Sequence, residues 1–127
     1  MGSSQDLQQQ QWIGPAAAAY ALSDGNRFAN VNTSGQIVRN ISDGGPCDGI
    51  AQGESSAAGD HIALITSGHA EIELGDTITP GQYASSDNVG RAVPATSGEK
   101  VLGRMIKGGA VGNTGQILFG VAAHQVA

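Results

Sequence analysis

The sequence predicts an all-β protein, a small antiparallel barrel or sandwich with an internal pseudo-twofold duplication, preceded by an extended N-terminal arm. Three observations predict it. From residue 27 onward apolar and polar residues alternate at period two, most clearly in "HAEIELG", where Ala70, Ile72 and Leu74 face one way and His69, Glu71 and Glu73 the other. Asp-Gly, Ser-Gly, Gly-Gly and Pro-Gly pairs punctuate the runs, and their glycines reach the backbone angles that tight turns require. Finally, "RFANVNTSGQIVRN" at 27–40 returns as the near-echo "QYASSDNVGRAVPA" at 82–95.

Residues 1–11 are polar, glutamine-rich and aperiodic, which predicts a disordered end or one ordered by a partner. "WIGPAAAAYAL" follows and sets Trp12, Ile13, Tyr20 and Leu22 among small residues. Pro15 is placed to open a short helix over the alanines, but a helix of about eight residues is marginal without tertiary support. These four apolar residues either pack on the chain's own core or anchor an arm on a neighbour. The chain is expected to divide into an N-terminal arm at 1–26, partly disordered or docked, and one β-rich domain at 27–127.

Within that domain "HIALITSG" is more uniformly apolar than "HAEIELG", as expected of a strand covered on both faces. "KVLGRMIKG" and "QILFGVA" close the series, with Gly103 and Gly120 inside expected strands, where glycine marks a bulge or a close backbone approach. The echo can be followed through all of these segments. Phe28 matches Tyr83, Asn32 matches Asp87, Gly35 matches Gly90 and Val38 matches Val93 at constant spacing. After a one-residue slip Gly49 falls on Gly103; after another, Gly59 falls on Gly112 and Asp60 on Asn113. These six glycines are the fold-defining positions. The repeat spans about 28–65 and 83–118, joined by "TSGHAEIELGDTITPG". Two such units are expected to close on each other, each supplying edge strands to its mate.

Composition restricts the function. The 127 residues hold 20 glycines and only five aromatics, enough for one domain with a thin core that gains stability from neighbouring subunits. Net charge is −5, and the six basic residues are scattered, so the electrostatic footprint of a nucleic-acid binder is missing. No apolar run approaches the ~20 residues that cross a bilayer, and the N-terminus does not read as a secretory signal. The single cysteine, Cys47, forms no internal disulfide and suits a reducing compartment.

The sequence shows no pattern of catalytic residues, metal ligands or cofactor attachment. His61, His69 and His124 lack zinc-type spacing. "DGNRFANVN", with Asp24, Asn26, Asn30 and Asn32, lacks the terminal acidic ligand of a calcium loop and reads as a turn. The glycine clusters carry no Lys-Ser/Thr for phosphate, and no Gly-x-Ser-x-Gly elbow exists. Lys100, in the turn-like "SGEKV", raises one alternative: a small-molecule-binding barrel or a carrier with a lipoyl or biotinyl group on a hairpin lysine. "LGDTITPGQ" occupies the central hairpin where that lysine would stand.

The ordered motifs from residue 27 to 119 resemble the capsid decoration, or cement, proteins of tailed bacteriophages. The counterparts are Gly59 and Asp60, then Gly68–Ile72, Gly75–Gly81, Ser86–Val93 and Gly103–Gly112; the match is weakest over 40–58. Where the family pattern has alanine after the second strand glycine, this chain has Arg104. The resemblance implies a non-enzymatic β-rich subunit on the outer surface of the expanded head, assembled in the host cytoplasm. Its partners would be the major capsid protein and copies of itself, as a homotrimer or, alternatively, a dimer. Trp12, Ile13, Tyr20 and Leu22 are the preferred contact residues, since buried aromatics dominate interface energies.

Overall fold

Antiparallel pairing builds every strand ladder among the described residues, 10–19, 26–39, 43–52 and 57–119 of a computed structural model. The strands are β1 (Gln10–Pro15), β2 (Arg27–Val31), β3 (Ile37–Arg39), β4 (Gly49–Gln52), β5 (His61–Glu73), β6 (Tyr83–Ser86), β7 (Ala92–Pro94), β8 (Gly103–Lys107) and β9 (Thr114–Phe119). They lie in the order β3-β2-β4-β5-β9-β8-β6-β7, with β1 on β5. The all-β expectation holds. Pro15 ends a strand instead of opening a helix, because its segment is held by Gly14↔Ile62 and Pro15↔His61 pairing.

The duplication is present in the register itself. Hairpin β2–β3 pairs Ala29↔Arg39, Asn30↔Val38 and Val31↔Ile37; hairpin β6–β7 pairs Ala84↔Pro94, Ser85↔Val93 and Ser86↔Ala92, each residue matching its echo. Both turns are closed alike. Asn32 Oδ1 accepts from the amides of Ser34 and Gln36 at 3.0 and 2.9 Å, and Asp87 Oδ1 from those of Val89 and Arg91 at 3.0 and 2.8 Å. Gly35 and Gly90 then take φ of 76° and 86°, a left-handed conformation open to glycine at little cost. The second slip is equally visible, with Gly59 and Gly112 at φ 95° and 88°.

The repeat also reaches further than the sequence echo. β1 pairs with the first half of β5 as the second half of β5 pairs with β9: Pro15↔His61 and Gly14↔Ile62 correspond to Glu73↔Thr114 and Ile72↔Gly115. Ala16 bonds Asp60 and is bonded by Gly59; Leu74 bonds Asn113 and is bonded by Gly112 in the same way. Each repeat therefore has five strands, and β5 is the last strand of the first and the first strand of the second. Of the segment assigned to an arm, Gln10–Pro15 is a strand of the sheet; residues 1–9 and 20–25, with Tyr20 and Leu22, lie outside the described residues.

The five strands of each repeat curl until first and last meet. Ala16 bridges Ile37 in the first repeat, and Leu74 bridges Ala92 in the second. Each repeat thus closes on itself, where mutual closure had been expected; the small residues at Ala16, Ala17 and Gly75 admit the bridge, with Ala17 and Gly75 amides bonding Ile37 and Ala92. "HIALITSG" and "HAEIELG" are one strand, since Gly68 passes through φ 98° without leaving the ladder and pairs with Phe119.

Inside the first repeat lie Ala16, Ala29, Ile37, Ala51, Ile62 and Leu64. The larger cluster fills the second repeat with Ile72, Leu74, Ala84, Ala92, Met105 and Ile117, and extends across the join to Phe28, Ile50 and Ile65 of the first. Ile62 and Leu64 face one cluster and Ile65 the other, which explains the uniformly apolar start of β5.

Candidate interaction surface

One cross-strand row occurs once in each repeat. In the first it runs Gln11–Ile65–Ile50–Phe28 over β1, β5, β4 and β2. In the second it runs His69–Leu118–Arg104–Tyr83 over β5, β9, β8 and β6. The two fates differ. Phe28, Ile50 and Ile65 are completely buried, whereas Arg104 is exposed, Tyr83 is 40% exposed and Ile106, two residues along β8, is 44% exposed.

The second repeat is what covers the first row. The Phe28 and Phe119 rings stand 6.1 Å apart, and the Phe28 amide donates to the Gly90 carbonyl at the tip of the β6–β7 hairpin at 2.7 Å. Beside it the Arg27 guanidinium donates to the Val89 carbonyl at 2.9 Å and pairs with the largely buried Glu73 at 3.2 Å. On the second row the Arg104 guanidinium lies 6.0 Å from the centre of the Tyr83 ring, and its Nε donates to the Gly81 carbonyl. That stacking keeps a planar cation and a ring together on the surface.

Of the residues singled out from sequence, Trp12 and Ile13 are 41% and 52% exposed on β1. The Trp12 ring lies over Gly14, in space that a side chain on Gly14 would need. Tyr83, Arg104 and Ile106 were not among the sequence-based contact residues. The only signal for Tyr83 and Arg104 was that they replace the apolar Phe28 and Ile50 by amphipathic or charged groups, and for Ile106 that it replaces the polar Gln52. Further exposed apolar residues, Val31, Val89 and Val111, lie at hairpin and loop positions.

The chemical candidates stay apart. His61 and His69 are exposed on one strand, about 26 Å from each other at ~3.3 Å per residue. Among the described residues no three His, Cys, Asp or Glu side chains gather around a common point. Asn30 Oδ1 accepts from the Asp48 amide and Asn32 Oδ1 closes its turn, so these two asparagines serve the β2–β3 hairpin, while Asp24 lies outside the described residues. Lys100 is exposed on the crossover between β7 and β8, which flank β6, and so is not at a hairpin tip. Among the described residues no helix is long and apolar enough to cross a membrane.

Cys47 packs against the main cluster, and its thiol is pushed up to about 12, chiefly by burial and next by the Asp48 charge, against a lowering hydrogen bond with Ser86. The unfolded chain ionises this thiol near 9.0 while the folded chain keeps its proton. Its contribution is therefore complete below pH 9 and is lost as pH rises towards 12. Urea denaturation at successive pH values is expected to show a steeper loss above pH 9 for the wild type than for Cys47→Ala.

No family model matches the chain, and comparison with curated proteins finds no match.

Proposed function

We propose that this protein is a structural subunit of a phage head: it binds the outer surface of the expanded shell and stabilises contacts between neighbouring major capsid proteins. The observation that carries the reading is a twice-built β frame whose interior is filled by its own side chains while Trp12, Ile13, Tyr83 and Ile106 remain on the outside. Aromatic groups and arginine on a rigid support are what an interface uses, because they bury much area with little loss of conformational freedom. The acidic balance suits a surface facing away from nucleic acid.

The motifs that carried the family resemblance have structural work in this frame. Asp87, Gly90 and Arg91 close the hairpin that docks on Phe28, and Gly103 lets β8 approach β9. A subunit that buries a standard ~800 Å² against each partner and is held at several points would leave the lattice far more slowly than any one contact would release.

Cosedimentation with heads lacking the protein tests the proposal. Saturable binding to expanded heads and none to unexpanded heads is the expected result; binding to neither form overturns it.

A further inference from the structure

Each repeat offers a receiving face and a presenting face, and the chain joins only one pair. The receiving face of the first repeat, Phe28, Ile50 and Ile65, is covered by the second. The presenting face of the second includes the Asp87–Arg91 turn, whose Val89 and Gly90 carbonyls take hydrogen bonds from Arg27 and Phe28, and Phe119, whose ring stands 6.1 Å from that of Phe28; Ala70 is buried in the same cluster. Register assigns the remaining pair without ambiguity. Trp12 is the counterpart of Ala70, and the Asn32–Gln36 turn is the counterpart of Asp87–Arg91.

These counterparts are both exposed. Trp12 shows two fifths of its surface, and a Cβ on Gly35 would meet nothing within 4 Å, whereas one on Gly90 would sit 2.8 Å from the Phe28 carbonyl oxygen. On the other side Tyr83 and Arg104 stand exposed where their matches Phe28 and Ile50 are buried, and Ile106, two residues along β8, is exposed as well.

We propose that a second copy of this chain completes the pattern: the Trp12 strand and Asn32–Gln36 turn of one copy dock on the Tyr83, Arg104, Ile106 and Leu118 face of the next. The contact is head-to-tail, using different surfaces on the two copies. Its composition fits that use. A face that is wet before assembly and dry after it favours Tyr and Arg over the Phe and Ile of the permanent join, and the Trp12 indole meets a stacked cation and ring. The inference deepens the proposed function by naming the self-contact, but needs no head to be tested.

The full chain in solution supplies the test. Sedimentation velocity over a concentration series is expected to show an oligomer that grows with concentration. Tyr83→Glu on one face and Trp12→Ala on the other should each weaken association at least tenfold while keeping the wild-type circular dichroism. By register Ser34 lies opposite Gln82, as Val89 lies opposite Arg27. A short bismaleimide should therefore link a mixture of Ser34→Cys and Gln82→Cys proteins and neither protein alone. A chain that stays monomeric, association unchanged by both face variants, or linking within Ser34→Cys alone overturns the proposal. Head binding is scored separately, so a monomer that still saturates expanded heads would remove this contact and leave the proposed function standing.

Discussion

Phe28→Ala is expected to lower folding stability by about 3–5 kcal/mol, while the matched change Tyr83→Ala lowers it by less than about 1 kcal/mol. The two residues hold the same place in the two repeats, so local strand propensity and hairpin geometry are held constant. Only the covering differs. Phe28 is completely buried and its ring lies 6.1 Å from that of Phe119, at the join between repeats. Removing it opens a cavity lined by residues of both repeats, and the loss is a large part of the roughly 5–15 kcal/mol that stabilises an ordinary domain. Urea denaturation of both variants, followed by circular dichroism, measures the difference. Equal losses would mean that the second row is as well covered as the first in the isolated chain, contrary to the asymmetry described above.

Gly49→Ala and Gly103→Ala form the second pair, and here equal effects are expected, about 3 kcal/mol each. Neither glycine has a positive φ, so contact and not conformational freedom decides the outcome. A methyl on Gly49 would meet the Ile65 carbonyl oxygen and, at 2.8 Å, Leu64 Cγ; one on Gly103 would meet the Leu118 carbonyl oxygen and, at 2.9 Å, Ile117 Cδ1. Backbone oxygen in a paired strand cannot turn aside as a side chain can. The neighbouring strands must separate, which places the change at the upper end of overpacking costs. Thermal unfolding of the two variants checks the prediction. If either proves neutral, the close approach of β4 to β5 or of β8 to β9 is not present as described.

The contrast between these pairs shows which levels of the structure were legible in the sequence. Turn chemistry was legible: Gly35, Gly59, Gly90 and Gly112 must be glycine-like for their φ, Asn32 and Asp87 must carry a short acceptor, and so the echo survived in letters. Close approach was legible for the same reason at Gly49 and Gly103. The correspondence of β1 with the second half of β5 was not. "QQWIGP" and "GHAEIE" share no residue at matched positions, because a strand pairs through its backbone and tolerates almost any side chain. The Ser67–Gly68 pair misled in the opposite direction, since it reads as a turn and instead lies within β5. Nor could residue type alone say that one row would be covered and its twin exposed; that depends on how the repeats meet.

The candidate surface was half legible. Trp12 and Ile13 stood out as large apolar residues among small ones, and both are exposed on β1. Tyr83 and Arg104 become visible only when each is set against its buried counterpart, Phe28 or Ile50, a comparison that needs the strand register and not merely the glycine spacing.

The sharing of β5 also sets the order in which the chain can fold. The first repeat cannot close before its final strand, through Ser67, has been made, so its earliest strand must wait for a partner some fifty residues away. Pairing across such a distance is slow, because a long loop must be ordered before its contacts form. Once β5 is in place, however, its second half already stands extended at Gly68–Glu73 as the template on which β9 pairs. The two repeats are therefore expected to lose structure in a single transition, and a break in the chain within β5 would take from each of them a strand that the other cannot replace.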